Sequence, residues 1–152
     1  MNSEPSAQLI KHILTIKASY DGEELSLDAR KLLRYTEDID ADIKNVLINM
    51  QLVGSLYAEA EKDQAFLRIK LDAKRGELDE HGRDVEIVGR PTDERVKNWV
   101  NRHPDYVKLR RQYSKAVKQT KRIEILYKAL EQKARLLQTK SANRRAEIAH
   151  QV

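Results

Sequence analysis

The chain contains no cysteine, which excludes a disulfide framework, a thiolate metal site and a cysteine nucleophile. Glycine and proline are scarce, at five and three in 152 residues, so few turns are built in. Aromatic residues make up 5% of the chain, too little to fill a sandwich or barrel core, and long helices are the architecture that remains. The length suits one domain. No apolar run approaches the roughly 20 residues that a bilayer requires. The opening Met1-Asn2-Ser3-Glu4-Pro5-Ser6 lacks the basic-then-apolar order of an export signal, and the expectation is a soluble, cytoplasmic protein.

What the chain has in abundance is charge, unevenly placed. Residues 1–107 carry 16 basic and 21 acidic side chains, whereas residues 108–152 carry 13 basic and three acidic ones. The net charge therefore changes from −5 to +10 along the chain. A basic block on an acidic body points to a polyanionic partner, either nucleic acid or an anionic membrane surface, or to head-to-tail contact between copies.

Leu14, Ile16, Ala18 and Tyr20 alternate with polar residues ahead of Asp21-Gly22, the pattern of a short strand entering a turn. Ser26 then offers a cap for a short helix through Leu27, Ala29, Leu32 and Leu33, and the acidic residues Asp38, Asp40 and Asp42 suit the start of the next helix. From there Ile39, Ile43, Val46, Met50, Val53, Tyr57, Ala60, Gln64, Leu67 and Leu71 follow in alternating fours and threes. A second such seam runs through Tyr106, Leu109, Tyr113, Ala116, Thr120, Ile123, Tyr127, Leu130, Ala134 and Leu137. Two seams of nearly equal length predict a long antiparallel helical hairpin, coiled-coil-like, in a mainly α protein with a short N-terminal strand and helix region.

The organisation read from these patterns is an N-terminal extension over residues 1–25 and one helical domain over 26–152. Within that domain a first rod covers 26–75, a glycine-bearing loop 76–92, a short helix 93–103 and a second, basic rod 104–150. Val85-Glu86-Ile87-Val88 has the composition of a strand inside the loop, and Thr92 and His103-Pro104 bound the short helix.

Opposite the seams the faces are informative. On the second rod Lys108, Arg111, Lys115, Lys118 and Arg122 line one side, and the same side turns apolar at Ile125, Ala129 and Leu136. The first rod has a comparable second face with Ile48 and Leu52 at one end and Phe66 and Ile69 at the other. Surplus apolar surface of this kind predicts self-association.

Catalysis finds little support. His12, His81, His103 and His150 fall in separate regions, Gly82 and Gly89 form no phosphate-cradling loop, and the three aspartates two residues apart point in different directions on a helix. No catalytic residue, metal site or cofactor is expected. The basic face is a stronger signal, because residues 106–123 contain no acid at all. A merely solvated face gains stability by mixing glutamate with lysine at i,i+4. Uncompensated repulsion is relieved when phosphates neutralise it and counterions are released. Arg68 and Lys70, with Lys74 and Arg75, lie at the end of the first rod that an antiparallel hairpin sets beside Lys108 and Arg111, where Arg83 and Arg90 of the loop can also reach. A membrane surface is the weaker partner, since no Trp/Phe/Leu-rich flank adjoins the stripe. Tyr113 and Tyr127 sit on the seam, leaving Trp99 and Phe66 as candidate base-stacking side chains.

The segment Leu67-Arg68-Ile69-Lys70-Leu71-Asp72 resembles the leucine, basic, any, basic, leucine, aspartate motif of phage recombination mediator proteins of the UvsY type. The order of parts is also similar over residues 26–140, with a short helix ending in Asn101-Arg102-His103-Pro104-Asp105-Tyr106 before the last long helix. Residues 1–22 have no counterpart there, and the basic tail after Lys133 is heavier than the family pattern. The resemblance implies a non-enzymatic loader acting as a ring-shaped homo-oligomer in the host cytoplasm. Such a loader binds single-stranded DNA, chiefly through Arg68 and Lys70, displaces single-strand binding protein and helps a RecA-like recombinase to assemble. The alternative from the residues alone is a structural or chaperone-like assembly protein whose basic face meets an acidic protein.

Overall fold

A computed structural model describes residues 14–86, 89 and 91–150. It is mainly helical, with one two-stranded antiparallel sheet. The elements are β1 (Thr15–Tyr20), β2 (Glu23–Asp28), α1 (Ala29–Leu33), α2 (Ile39–His81), α3 (Asp93–Arg102) and α4 (Pro104–His150). They divide into two compact units, one built from the residues up to Ala60 together with those from Gln119 onward, the other from Glu61–Lys118.

The first unit opens with a hairpin. Tyr20 pairs with Glu23 across a two-residue loop in which Asp21 and Gly22 both have positive φ, 50° and 82°. This is the turn whose twist matches the strands, and Asp-Gly is a favoured sequence for it. Ile16, Ala18 and Leu27 face inward and pack on Val46, Val53 and Leu56 of α2 and on Ile123, Leu126, Leu130 and Leu137 of α4. Here α2 and α4 run antiparallel: Thr120 donates its hydroxyl to the carbonyl of Ala60 at 3.2 Å, and the Tyr127 ring lies against Gly54. A Cβ on Gly54 would stand 3.3 Å from that ring.

The strand extends further than the expected boundary at residue 25. Ser26 is inside β2, and the cap of α1 is Asp28, whose carboxylate accepts from the N–H of Arg30 at 3.0 Å. Ladder pairing of Ser26 with Lys17 outcompetes capping there. At the start of α2, Asp38 accepts from the N–H of Ala41 at 3.0 Å, and buried Asp42 accepts from the N–H and hydroxyl of Thr36 at 2.8 and 3.0 Å. The acidic stretch does open the helix, as read. The Lys133 side chain, 4% exposed, reaches back to α1, donating to the carbonyls of Arg34 and, at 3.4 Å, of Leu32, beneath the Tyr35 ring.

In the second unit α2 continues through Gly76 to His81, so the loop expected from residue 76 begins later. Burial of Leu78 with Val96, Val100 and Tyr106 outweighs the roughly 1 kcal/mol that a mid-helix glycine costs. Gly82–Glu86 form a π-helical turn rather than the start of a strand; Ile87 and Val88, like Arg90, lie outside the described residues. Gly82 is needed there, because a Cβ would fall 2.9 Å from the indole of Trp99. Thr92 caps α3 as expected, its hydroxyl accepting from the N–H of Arg95 at 3.4 Å, and His103 closes the helix before Pro104.

Among the carboxylates that tie the first unit to pH are Asp42 and Glu124. The Thr36 N–H, opposed in part by burial and aided by the Thr36 hydroxyl and by Lys133 and Lys140, holds Asp42 below the usual range. Hydrogen bonds from Lys121 and Lys128 bring Glu124 from 4.5 down to about 2. A depressed folded-state pKa stabilises above the unfolded value and loses that contribution as pH falls toward the folded one. Thermal stability should therefore be flat near neutrality and decline below about pH 4.5. A series of melts should show a shallower acid decline for Asp42→Asn than for the wild type.

Candidate nucleic-acid interface

α4 begins at Pro104, whose missing N–H and fixed φ suit the first helical position. From Tyr106 to Lys118 the helix turns Tyr106, Leu109 and Tyr113 inward, with Tyr106 buried against Leu78, Val96 and Val100. The 3.6-residue period then obliges Lys108, Arg111, Lys115 and Lys118 to share the opposite face, and all four are exposed. None of them has an ion-pair or hydrogen-bond partner among the described residues. Lys108, Arg111 and Lys115 line a shallow groove with Pro104, Val107 and Gln112. Arg110, also exposed, adds a further cation that the helical spacing of the stripe does not include, since it adjoins seam residue Leu109. The acid-free count over 106–123 was the signal that included it.

Arg122 does not belong to this free stripe. It lies in the first unit, half-buried, and donates to the carbonyl of Thr15 at 3.3 Å, so it anchors the start of β1. Lys74 is half-buried and bonded to Glu77 at 2.8 Å, which raises its pKa. Arg83 is committed too, spanning Asp79 and Asp93 at 2.8 Å each and joining the π-turn to α3. Arg75 is exposed.

Arg68 and Lys70 are exposed on α2 in the same unit. Arg68 makes only a 4.0 Å contact with Asp72, both side chains more than 70% exposed, which contributes little. Being two residues apart, they project about 200° from each other around the helix. Arg68 and Lys70 thus do not share one face of α2, although both lie in the unit that also holds Lys108, Arg111, Lys115 and Lys118.

Trp99 is not an open stacking platform. Its indole packs on Gly82 and between the rings of His81 and His103, with centroids 6.2 and 5.3 Å away. Phe66 is open to solvent, as are Ile48, Leu52, Ile69, Ile125 and Leu136, whereas Ala129 is half-buried.

No protein-family model, curated protein or solved structure matches this chain. The site is therefore read from its own chemistry. No described helix is long and apolar enough to cross a membrane. Among the described residues no three His, Asp or Glu side chains are grouped to hold a metal ion.

Proposed function

We propose that this protein is a non-enzymatic accessory factor that binds single-stranded DNA and, in the manner of the recombination mediators it resembles, helps a RecA-like recombinase to load in place of single-strand binding protein. The observation that carries the DNA-binding part is the free cationic face of α4, where Lys108, Arg111, Lys115 and Lys118 are exposed, unpaired and unaccompanied by any acid from residue 106 to 123. Arg68, Lys70 and Arg75 add charge on α2. The recombinase and single-strand binding protein enter through the motif resemblance. The exposed side chains of Ile48, Leu52, Ile125 and Leu136 support self-association, and a coiled-coil ring would multiply weak phosphate contacts along one strand.

Fluorescence anisotropy of a labelled poly-dT oligonucleotide at several salt concentrations tests the proposal. Wild type should bind with a log–log slope of about −0.7 per neutralised phosphate. Arg68→Ala/Lys70→Ala should bind roughly thirtyfold more weakly, with about 1 kcal/mol lost at each position. Absence of binding even at low salt would instead assign the basic face to an acidic protein partner, the assembly-protein reading.

A further inference from the structure

Phe66 is 56% exposed on α2, yet its ring is not bare: the Lys70 ammonium stands 4.3 Å from the ring centroid. The pair follows from helix geometry, since residues four apart share a face and long side chains lean toward the N-terminus, laying Lys70 over Phe66. Lys70 has no carboxylate partner among the described residues. Of the four Phe, Trp and Tyr residues between Glu61 and Lys118, Trp99 is packed between histidines, Tyr106 is buried and Tyr113 is half-buried. Phe66 is the exposed one of these four.

The sequence offered Phe66 both to the self-association surface and as a base-stacking side chain, and its surroundings argue against the first. Pressing the ring into a dry subunit contact would carry the Lys70 ammonium with it and leave that charge buried without a partner. A nucleic-acid strand satisfies both groups, because each nucleotide offers a flat π-surface and, a few ångströms away, a phosphate.

Resting on the proposed single-stranded DNA binding, we infer that Phe66 and Lys70 form a nucleobase-stacking subsite on α2. One base lies on the open ring face, the Lys70 ammonium pairs with an adjoining phosphate, and exposed Ile69 flanks the ring. The subsite tolerates any base, since every base has a π-face, and it adds a contact that phosphate neutralisation does not supply.

The test compares full-length protein on poly-dT and on an abasic deoxyribose-phosphate oligomer of the same length and charge. Wild type should prefer poly-dT by roughly tenfold, the order of one base–aromatic stack. Phe66→Leu should bind poly-dT no better than the abasic oligomer, and Phe66→Trp should keep the preference. Equal wild-type affinity for the two oligomers would overturn the subsite while leaving phosphate-driven binding intact. A Phe66→Leu variant that retains the preference, or that weakens on both oligomers alike, would also overturn it, the latter returning the ring to self-association. Failure of wild type to bind either oligomer would remove the DNA reading itself.

Discussion

Replacing Lys108, Arg111, Lys115 and Lys118 together by glutamine should reduce affinity for poly-dT by roughly two to three orders of magnitude at low salt, with about 1 kcal/mol lost at each position. The same variant should flatten the log–log salt slope by about 3, because each single-strand phosphate contact contributes about 0.7. Affinity and slope must change together, and that separates a lost electrostatic contact from a disturbed fold. The fold should be untouched, since the four side chains are exposed and have no partners among the described residues. Removing four like charges from one helix face relieves repulsion, so the melting temperature should stay the same or rise. A variant that keeps both its affinity and its slope would exclude α4 as the DNA surface and leave the charges on α2 as the remaining candidates. Changing Arg122 in the same way should behave differently, destabilising the hairpin anchor at Thr15.

The largest stability effect should come from Lys133→Met. Methionine preserves the unbranched apolar stem but removes the ammonium that bonds the carbonyls of Leu32 and Arg34 and offsets the Asp42 charge. The ammonium and the Asp42 carboxylate are themselves buried, Lys133 being 4% and Asp42 2% exposed. Breaking a buried charge arrangement by deleting one member costs about 3 kcal/mol, and the melting temperature should fall by roughly 10 °C. Exposed Arg135, two residues on, provides the control, since Arg135→Met should leave the melt almost unchanged. Combining Lys133→Met with Asp42→Asn should be less damaging than the sum of the single changes, because the second substitution removes the charge that the first left unbalanced.

The two long helices were legible because their apolar spacing is regular and their burial is a one-dimensional matter: Val46, Val53, Ile123, Leu130 and Leu137 are buried where the seam put them. The strand before Asp21-Gly22 was legible for the same reason, with a period of two. Its partner was not, because Glu23 to Asp28 alternates weakly and Ser26 reads equally well as a cap. Leu56 and Leu126 lie off the seams and are buried only because the hairpin covers a second side of α2 and α4. No pattern within either helix announces that. Nothing in the sequence marked Lys133 as a buried side chain; its burial depends on where α1 ends, about a hundred residues earlier in the chain. The charges of the candidate site were visible by counting, but their availability was not. Lys74 is occupied by Glu77 one turn along its own helix, whereas Arg83 and Arg122 are also held by Asp93 and the Thr15 carbonyl, which the fold brings near; Lys108, Arg111, Lys115 and Lys118 have no partner among the described residues.

Trp99 is the only tryptophan in the chain and is held in the second unit against Gly82. Tryptophan emission is therefore a local thermometer for residues 61–118 and is blind to the hairpin, α1 and the buried lysine. Far-ultraviolet circular dichroism registers helix from both units. Following one heating experiment by both signals turns the offset between the two curves into a direct reading of how cooperatively the halves of α2 and α4 melt.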